Sequence, residues 1–391
     1  MNDMTEAVTA PQTLSRAEHD AGMAAYRKAG QRLADEIGNR GPLRLTDDGA
    51  LHPDIQAAYW RHGYYVFTDV INPAEIAALR ADAQSMLARA PIGPDATVDA
   101  QGRPALGLDY ARLPYRFTRP LADPWGGTPI LGGRHPAQMA QPMPDANAPE
   151  HVVFLMYAMC QAMPSGLRLY GHPKLLAAAQ SINGTDFVPF NDAIFVKQPG
   201  LGGSVAWHQD GVTHWNAPDW DEGIHGFNFQ VQLYPATVGN CLWVIPGSHK
   251  LGKADIRRLV AGSGSDRIEG AVPMLCAAGD TIVTNRQLLH GSFANSSPDR
   301  RITLNEGFFP RKRVLGVTAK RLHGAIETYS QARIDERCRI LLLAIDARKQ
   351  RFPQERPYVY RPLAGQEENN RWNETMRETV LKNYNQRDMF I

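Results

Sequence analysis

Beyond residue 187 the chain breaks into short runs of strand-forming residues punctuated by Gly and Pro, at 193–197, 204–210, 226–233, 241–245, 280–285, 288–293 and 301–309. So many short strands separated by turn signals predict a sandwich or barrel, a mainly β core with helices on its flanks. The flanks read differently. An Ala-rich stretch at 15–37 is helical by pattern, and Tyr64, Tyr65, Val66 and Phe67 form a strand. Asn72-Pro73-Ala74-Glu75 then supplies an N-cap, a first-turn proline and a capping-box glutamate for a helix to about residue 90, stapled by Ile71 and Ile76. From 91 to 150 the composition shifts to Pro, Gly and Asp, as expected either of a lid over a pocket or of a loop packed onto the core. Residues 151–176 read as helix, as do the apolar stripes Ile334, Cys338, Leu341, Leu342, Ile345 and Trp372, Met376, Val380. The expected division is an N-terminal tail and helix at 1–45, a β domain at 46–312 with an insert at 91–150, and a helical extension at 313–391 packed on the β core.

Charge excludes several partner classes. The 391 residues carry 42 Lys and Arg against 40 Asp and Glu, which leaves no basic surplus for nucleic acid or an anionic membrane and favours a small, specifically recognised molecule. Four cysteines are scattered without C-x-x-C spacing, as expected in a reducing compartment. No apolar run reaches the roughly 18 residues that span a bilayer, so a soluble, cytoplasmic protein is expected. Oligomeric state is not written in these patterns.

Within the β region, Trp207-His208-Gln209-Asp210 puts an imidazole and a carboxylate two residues apart, on one face of a strand. These are two corners of a metal site, and a second histidine would complete the two-His-one-carboxylate triad of non-haem Fe(II) oxygenases. H-x-D alone is weak: with twelve histidines, about half a match arises by chance. His52-Pro53-Asp54 is such a match, and its proline marks a turn into the helix at 55–62. The second histidine is best supplied by His290, on a strand face shared with Ser292 and followed by the turn cluster Asn295-Ser296-Ser297-Pro298. Arg301 opens the returning strand, and a hairpin would set it beside His290 across the ladder. A small dianion then fits between metal and guanidinium, whose planar fork suits a carboxylate.

Four segments carry a family resemblance: Lys197-Gln198-Pro199-Gly200 leading to Trp207-His208-Gln209-Asp210; residues 240–250 around Pro246-Gly247-Ser248-His249; Ala278-Gly279-Asp280; and His290-Gly291-Ser292 through Asn295 and Ser297 to Arg301. In order and spacing they resemble the phytanoyl-CoA dioxygenase family of Fe(II)- and 2-oxoglutarate-dependent oxygenases, ectoine-hydroxylase-like in parts. The resemblance covers roughly residues 51–310. It implies a double-stranded β-helix, a cupin-like jelly-roll barrel, with His208, Asp210 and His290 as iron ligands. It implies further that Arg301 pairs with the distal carboxylate of 2-oxoglutarate and that Ser292 contacts the cosubstrate. Asn191 falls where those members carry a cosubstrate-contacting glutamine, a departure in residue type. The implied reaction consumes 2-oxoglutarate and O2, hydroxylates a C–H bond of a small organic metabolite, and releases succinate and CO2. Halogenating relatives carry a small residue at the carboxylate position, so Asp210 favours hydroxylation.

Other residues are weighed on pattern. Phe227, Phe229, Val231 and Leu233 alternate with Asn228, Gln230 and Gln232, so Asn228 either meets solvent or looks into the barrel toward a ligand. His214 and Trp215 follow the metal strand, where they are candidates for a substrate wall or for packing. His249 reads as a surface turn residue. Gly247 to Lys253 is a near P-loop with Ala254 where a hydroxyl is required, and no G-x-S-x-G, H-E-x-x-H or strand-borne G-x-G-x-x-G occurs. The competing readings are the same cofactor chemistry ending in desaturation, epoxidation or cyclisation, and a cupin-like barrel that binds metal or ligand without turnover.

Overall fold

The structure, a computed structural model, describes residues 13–211, 214–320, 326–382 and 384, apart from the side chains of 191, 319 and 320. The strands that matter here are β1 (Arg40–Pro42), β2 (Tyr64–Thr68), β3 (Tyr115–Thr118), β4 (Val152–Tyr157), β5 (Phe187–Lys197), β6 (Val205–His208), β7 (Phe227–Gln232), β8 (Trp243–Val244), β9 (Val272–Pro273), β10 (Thr281–Asn285), β11 (His290–Ser292) and β12 (Arg301–Pro310). They form an eight-stranded sheet, ordered β1-β2-β10-β7-β12-β5-β4-β3, and a four-stranded sheet, ordered β9-β8-β11-β6. From β5 onward the chain alternates between the sheets: β5 large, β6 small, β7 large, β8 and β9 small, β10 large, β11 small, β12 large. All ladders among these core strands are antiparallel. This is the expected jelly-roll double-stranded β-helix, built as two facing sheets and not as one closed ring of strands.

Strand β7 shows how the pattern closes the core. Phe227, Phe229 and Val231 are fully buried, packed among the aromatics of the large apolar cluster, while the amide face of Asn228, Gln230 and Gln232 is also buried. A strand buried on both faces of a sandwich must satisfy its polar side internally. That requirement turns the amide face toward the cavity.

The helices follow their caps. Ser15 and Glu18 form a capping box for α1 (Arg16–Ile37), and Pro53 starts α2 (Pro53–His62). Asn72 Oδ1 accepts from Glu75 N at 3.0 Å at the start of α3 (Pro73–Ala88). In α4 (Gln331–Arg351) the stripe Ile334, Cys338, Leu341 and Leu342 is buried, and the helix packs along β5. All four cysteines are free and buried. Among the described residues no helix is long and apolar enough to cross a membrane.

Three expectations need correction. Residues 151–176 are not one helix: Val152-Val153-Phe154-Leu155-Met156-Tyr157 is β4, paired with β3 and β5, and helix begins at Met159. A six-residue apolar run has no period that separates buried strand from buried helix, and here β-branched and aromatic content decided it. His249 is no surface residue, since its ring is fully buried and bonded to the carbonyl of Trp60 at 3.2 Å. Finally, β11 and β12 do not pair with each other; each pairs within its own sheet, so His290 and Arg301 approach across the sandwich interior and not across a ladder.

Candidate metal centre

Outward contacts on β6 fix what points inward. Trp207 Nε1 donates to Asp266 O at 2.6 Å, and Gln209 is held on the same outer side by Gln287 O at 2.7 Å and by the N–H of Ala254 at 2.8 Å. His208 and Asp210 therefore face the interior, although the ladder ends at His208 and Asp210 is tied by its own N–H to Arg286 O at 2.8 Å. Across the small sheet His290 is the register partner of His208, with a bulge before Ser292. Gly291 lets these strands close: a Cβ there would lie 3.1 Å from the Trp207 ring and 3.1 Å from Val205 O.

One ligand atom from each of His208, Asp210 and His290 lies within 4.8 Å of the others, with His208 Nε2 3.5 Å from Asp210 Oδ1. Nδ1 of His208 sits 2.8 Å from Ala206 O and Nδ1 of His290 sits 2.7 Å from Leu288 O. A carbonyl only accepts, so both Nδ1 atoms carry the proton and both Nε2 lone pairs are left for an ion. Burial, reinforced by His208, lowers the pKa of His290 to about 4, which keeps it neutral. For Asp210 burial alone would raise the pKa, but Arg286 and the two imidazoles hold it well below the usual carboxylate range. Its Oδ2 accepts from Asn228 Nδ2 at 3.0 Å, and Asn228 Oδ1 accepts in turn from Arg286 at 3.3 Å.

The cavity above this group is lined by Asn228, Ser292 and Arg301 as well. Arg301 is buried, its Nε donating to Thr303 Oγ1 at 2.9 Å and its Nη1 to Asn240 O at 2.8 Å. Burial lowers its pKa to about 10, still charged at neutral pH. Its register partner on β5 is Lys197, also buried and lining the cavity. Burial, with Arg301 beside it, pulls that amine well below its usual value. Among the described residues neither side chain is ion-paired with a carboxylate, and Lys197 Nζ donates to Phe293 O, so the Arg301 guanidinium leaves this end of the cavity matched to an incoming anion.

The structure does not bring His214 and Trp215 to the cavity. His214 stacks on His225 with ring centroids 4.7 Å apart, Trp215 packs on Trp220 at 4.9 Å, and neither lines the pocket. Asn191 is on β5, and its side chain lies outside what the structure describes. His52 caps α2 beside Asp54 at 3.4 Å and takes no part in the metal group. Among the polar lining residues that sequence reasoning missed are Lys197, Arg286, and, from the 91–150 stretch, Arg134 and His135. Lys197 sat inside a quoted motif at the end of a predicted strand; the pair from the insert carried no periodic signal.

A jelly roll with a His–Asp–His group opening into its interior is the arrangement of the iron- and 2-oxoglutarate-dependent oxygenase class. Residues 166–303 match the phytanoyl-CoA dioxygenase (PhyH) family model, so the resemblance read from the sequence holds over that stretch. Curated relatives include "Phytanoyl-CoA dioxygenase 1" of Oryza sativa subsp. japonica, 36% identical over 119 residues, 28% of this chain and 40% of the relative. Another is "Phytanoyl-CoA dioxygenase" of Arabidopsis thaliana, 33% identical over 138 residues, 33% of this chain and 46% of the relative. The chain thus spans less than half the length of these relatives. Among solved structures, EctD from S. alaskensis with 2-oxoglutarate and 5-hydroxyectoine superposes with a TM-score of 0.47 at 19% identity, over 72% of this chain and 83% of that one. AviO1 from Streptomyces viridochromogenes Tue57 gives 0.44 at 22%, over 64% and 91%. At these scores neither informs activity or substrate.

Proposed function

We propose that the chain is an Fe(II)- and 2-oxoglutarate-dependent dioxygenase that hydroxylates a C–H bond of a small organic molecule. The observation that carries this reading is one cavity with two imidazoles, each with its Nε2 lone pair free, and a carboxylate converging at one point, and a buried guanidinium beside a lysine, neither ion-paired with a carboxylate among the described residues, at another. The donor set fits a divalent iron: two Nε2 lone pairs and one carboxylate oxygen, each held by a hydrogen bond on its far side. When bound, iron with 2-oxoglutarate and O2 supplies the oxidation of the C–H bond, with succinate and CO2 released.

The chain's residues have separable tasks in this reading. His208, Asp210 and His290 hold the ion, Asn228 keeps Asp210 Oδ2 engaged so that Oδ1 remains for the metal, and Arg286 anchors Asn228. Arg301 and Lys197 hold the distal carboxylate of 2-oxoglutarate, with Ser292 beside His290 on the same wall. The apolar cluster of Trp125, Phe154, Leu155, Ala193 and Val205 walls the cavity from bulk water, which strengthens each of these interactions. Anaerobically purified protein supplied with Fe(II) should consume O2 and release succinate in strict dependence on 2-oxoglutarate. Failure to bind either the metal or the keto acid would reject the assignment.

A further inference from the structure

Two further polar residues, Arg134 and His135, adjacent in the 91–150 stretch, line the cavity beside the metal group and have no task in the proposed function. His135 is 1% exposed, and its ring stacks on the ligand imidazole of His208 with centroids 4.2 Å apart and planes at 27°. Neither ring nitrogen of His135 has a hydrogen-bond partner. Arg134 is held through Nη1 to Gln209 O at 2.6 Å and through Nε to Leu131 O at 3.3 Å, and among the described residues it is ion-paired with no carboxylate.

Buried polar groups are nearly always paired, and an imidazole lacking both partners is costly unless a ligand completes it. The placement is not incidental to a floppy loop. Asp123 accepts from the backbone N–H groups of Trp125, Gly126 and Met139 at 3.1, 2.9 and 2.9 Å, and Gly127 N donates to His135 O at 2.8 Å. Next to this polar pair stands the apolar wall of Trp125, Phe154 and Val205, with Leu131 and Phe195 against it. Charge agrees: among the described lining residues Arg134, Arg286 and Arg301 stand against Asp210, while burial pushes Lys197 and Asp192 toward their neutral forms. Asp210 is the carboxylate whose charge Arg134 feels; with a metal ion taking up that charge, Arg134 is left for an incoming anion.

The geometry points to a substrate with an apolar, ring-sized body and an anionic group, carboxylate or phosphate, received by Arg134 and hydrogen-bonded by His135 beside the metal. This rests on the oxygenase reading and narrows its substrate class. Arg134 and His135 are then specificity residues brought by the insert.

The test is calorimetric binding to Mn(II)-loaded protein with saturating 2-oxoglutarate, using phenylalkanoates of increasing chain length, their neutral amides, and an arylalkyl phosphate. The acids, the phosphate or both should bind roughly tenfold to a hundredfold more tightly than the amides, as a charge-assisted hydrogen bond to a desolvated guanidinium implies. Which anion wins identifies the head group. Arg134→Gln should erase the preference, Arg134→Lys should restore part of it, and His135→Phe should weaken anions and amides alike. Amides binding as well as anions, no member binding at all, or a preference that survives Arg134→Gln would overturn the inference. A first titration in the same cell, 2-oxoglutarate into the Mn(II) protein, separates the two levels: no binding there sinks the oxygenase reading itself.

Discussion

The small sheet and the 91–150 insert both deliver buried histidines to one cavity, by opposite means. On β6 and β11 the ladder positions His208 and His290 as register partners, and each spends its Nδ1 proton on the carbonyl two residues before it. In the 91–150 stretch β3 joins the large sheet, but over residues 123–139 no ladder acts; a buried carboxylate, Asp123, gathers three backbone N–H groups and so places Arg134 and His135, whose imidazole spends nothing. The first kind of placement leaves one nitrogen free in a fixed direction, as an ion of fixed geometry requires. The second leaves a whole ring unpaired, as a wall awaiting a larger ligand does. Metal affinity should therefore depend on the sheet, and substrate affinity on the insert.

Substitutions can break that division. Asp210→Ala removes the only carboxylate of the metal group, so 2-oxoglutarate-dependent O2 consumption should fall to background with the circular-dichroism spectrum retained; normal turnover would take Asp210 out of the site. Asn228→Ala frees Asp210 Oδ2 and should weaken metal binding about 10- to 100-fold, the usual cost of removing a hydrogen bond behind a ligand, as read from metal titration. Asp123→Ala strands three buried N–H groups and should cost about 1 to 3 kcal/mol in urea unfolding, while raising substrate KM far more than it weakens the metal. Equal effects on both would erase the contrast between sheet and insert.

A smaller effect concerns protons. Burial lowers the pKa values of His214, His249 and His290 to about 4. The unfolded chain takes up protons on these rings near the ordinary value of 6.5, whereas the fold refuses them until about 4. Stability of the metal-free protein should accordingly be full above 6.5 and decline as pH falls through that window. A midpoint temperature that rises on acidification between those values would contradict the sign.

What the sequence disclosed follows from how each residue is placed. Phe227-Asn228-Phe229-Gln230 announces a two-faced strand because period two survives in the residue types, and His208-x-Asp210 is legible for the same reason. Arg301 was found by its spacing from His290, yet the hairpin drawn between them was wrong, because a jelly roll sends successive strands to opposite sheets and nothing local encodes that crossing. His249 sits in a turn-like Pro-Gly-Ser-His and is buried because the end of α2 and the chain at Gly223 close over it. Arg134 and His135 were invisible because an Asp-centred turn has no period, and its partners at 125, 126 and 139 are recognisable only once folded.

The most direct test of the central claim is anaerobic titration of the purified protein with Fe(II) and then 2-oxoglutarate, followed by the visible charge-transfer band of a keto acid chelated to ferrous iron. The band should develop with one equivalent of iron, be absent in Asp210→Ala, and require more 2-oxoglutarate in Arg301→Ala by a factor corresponding to about 2 to 5 kcal/mol. No band in the unmodified protein, or one of equal strength in Asp210→Ala, would contradict the account.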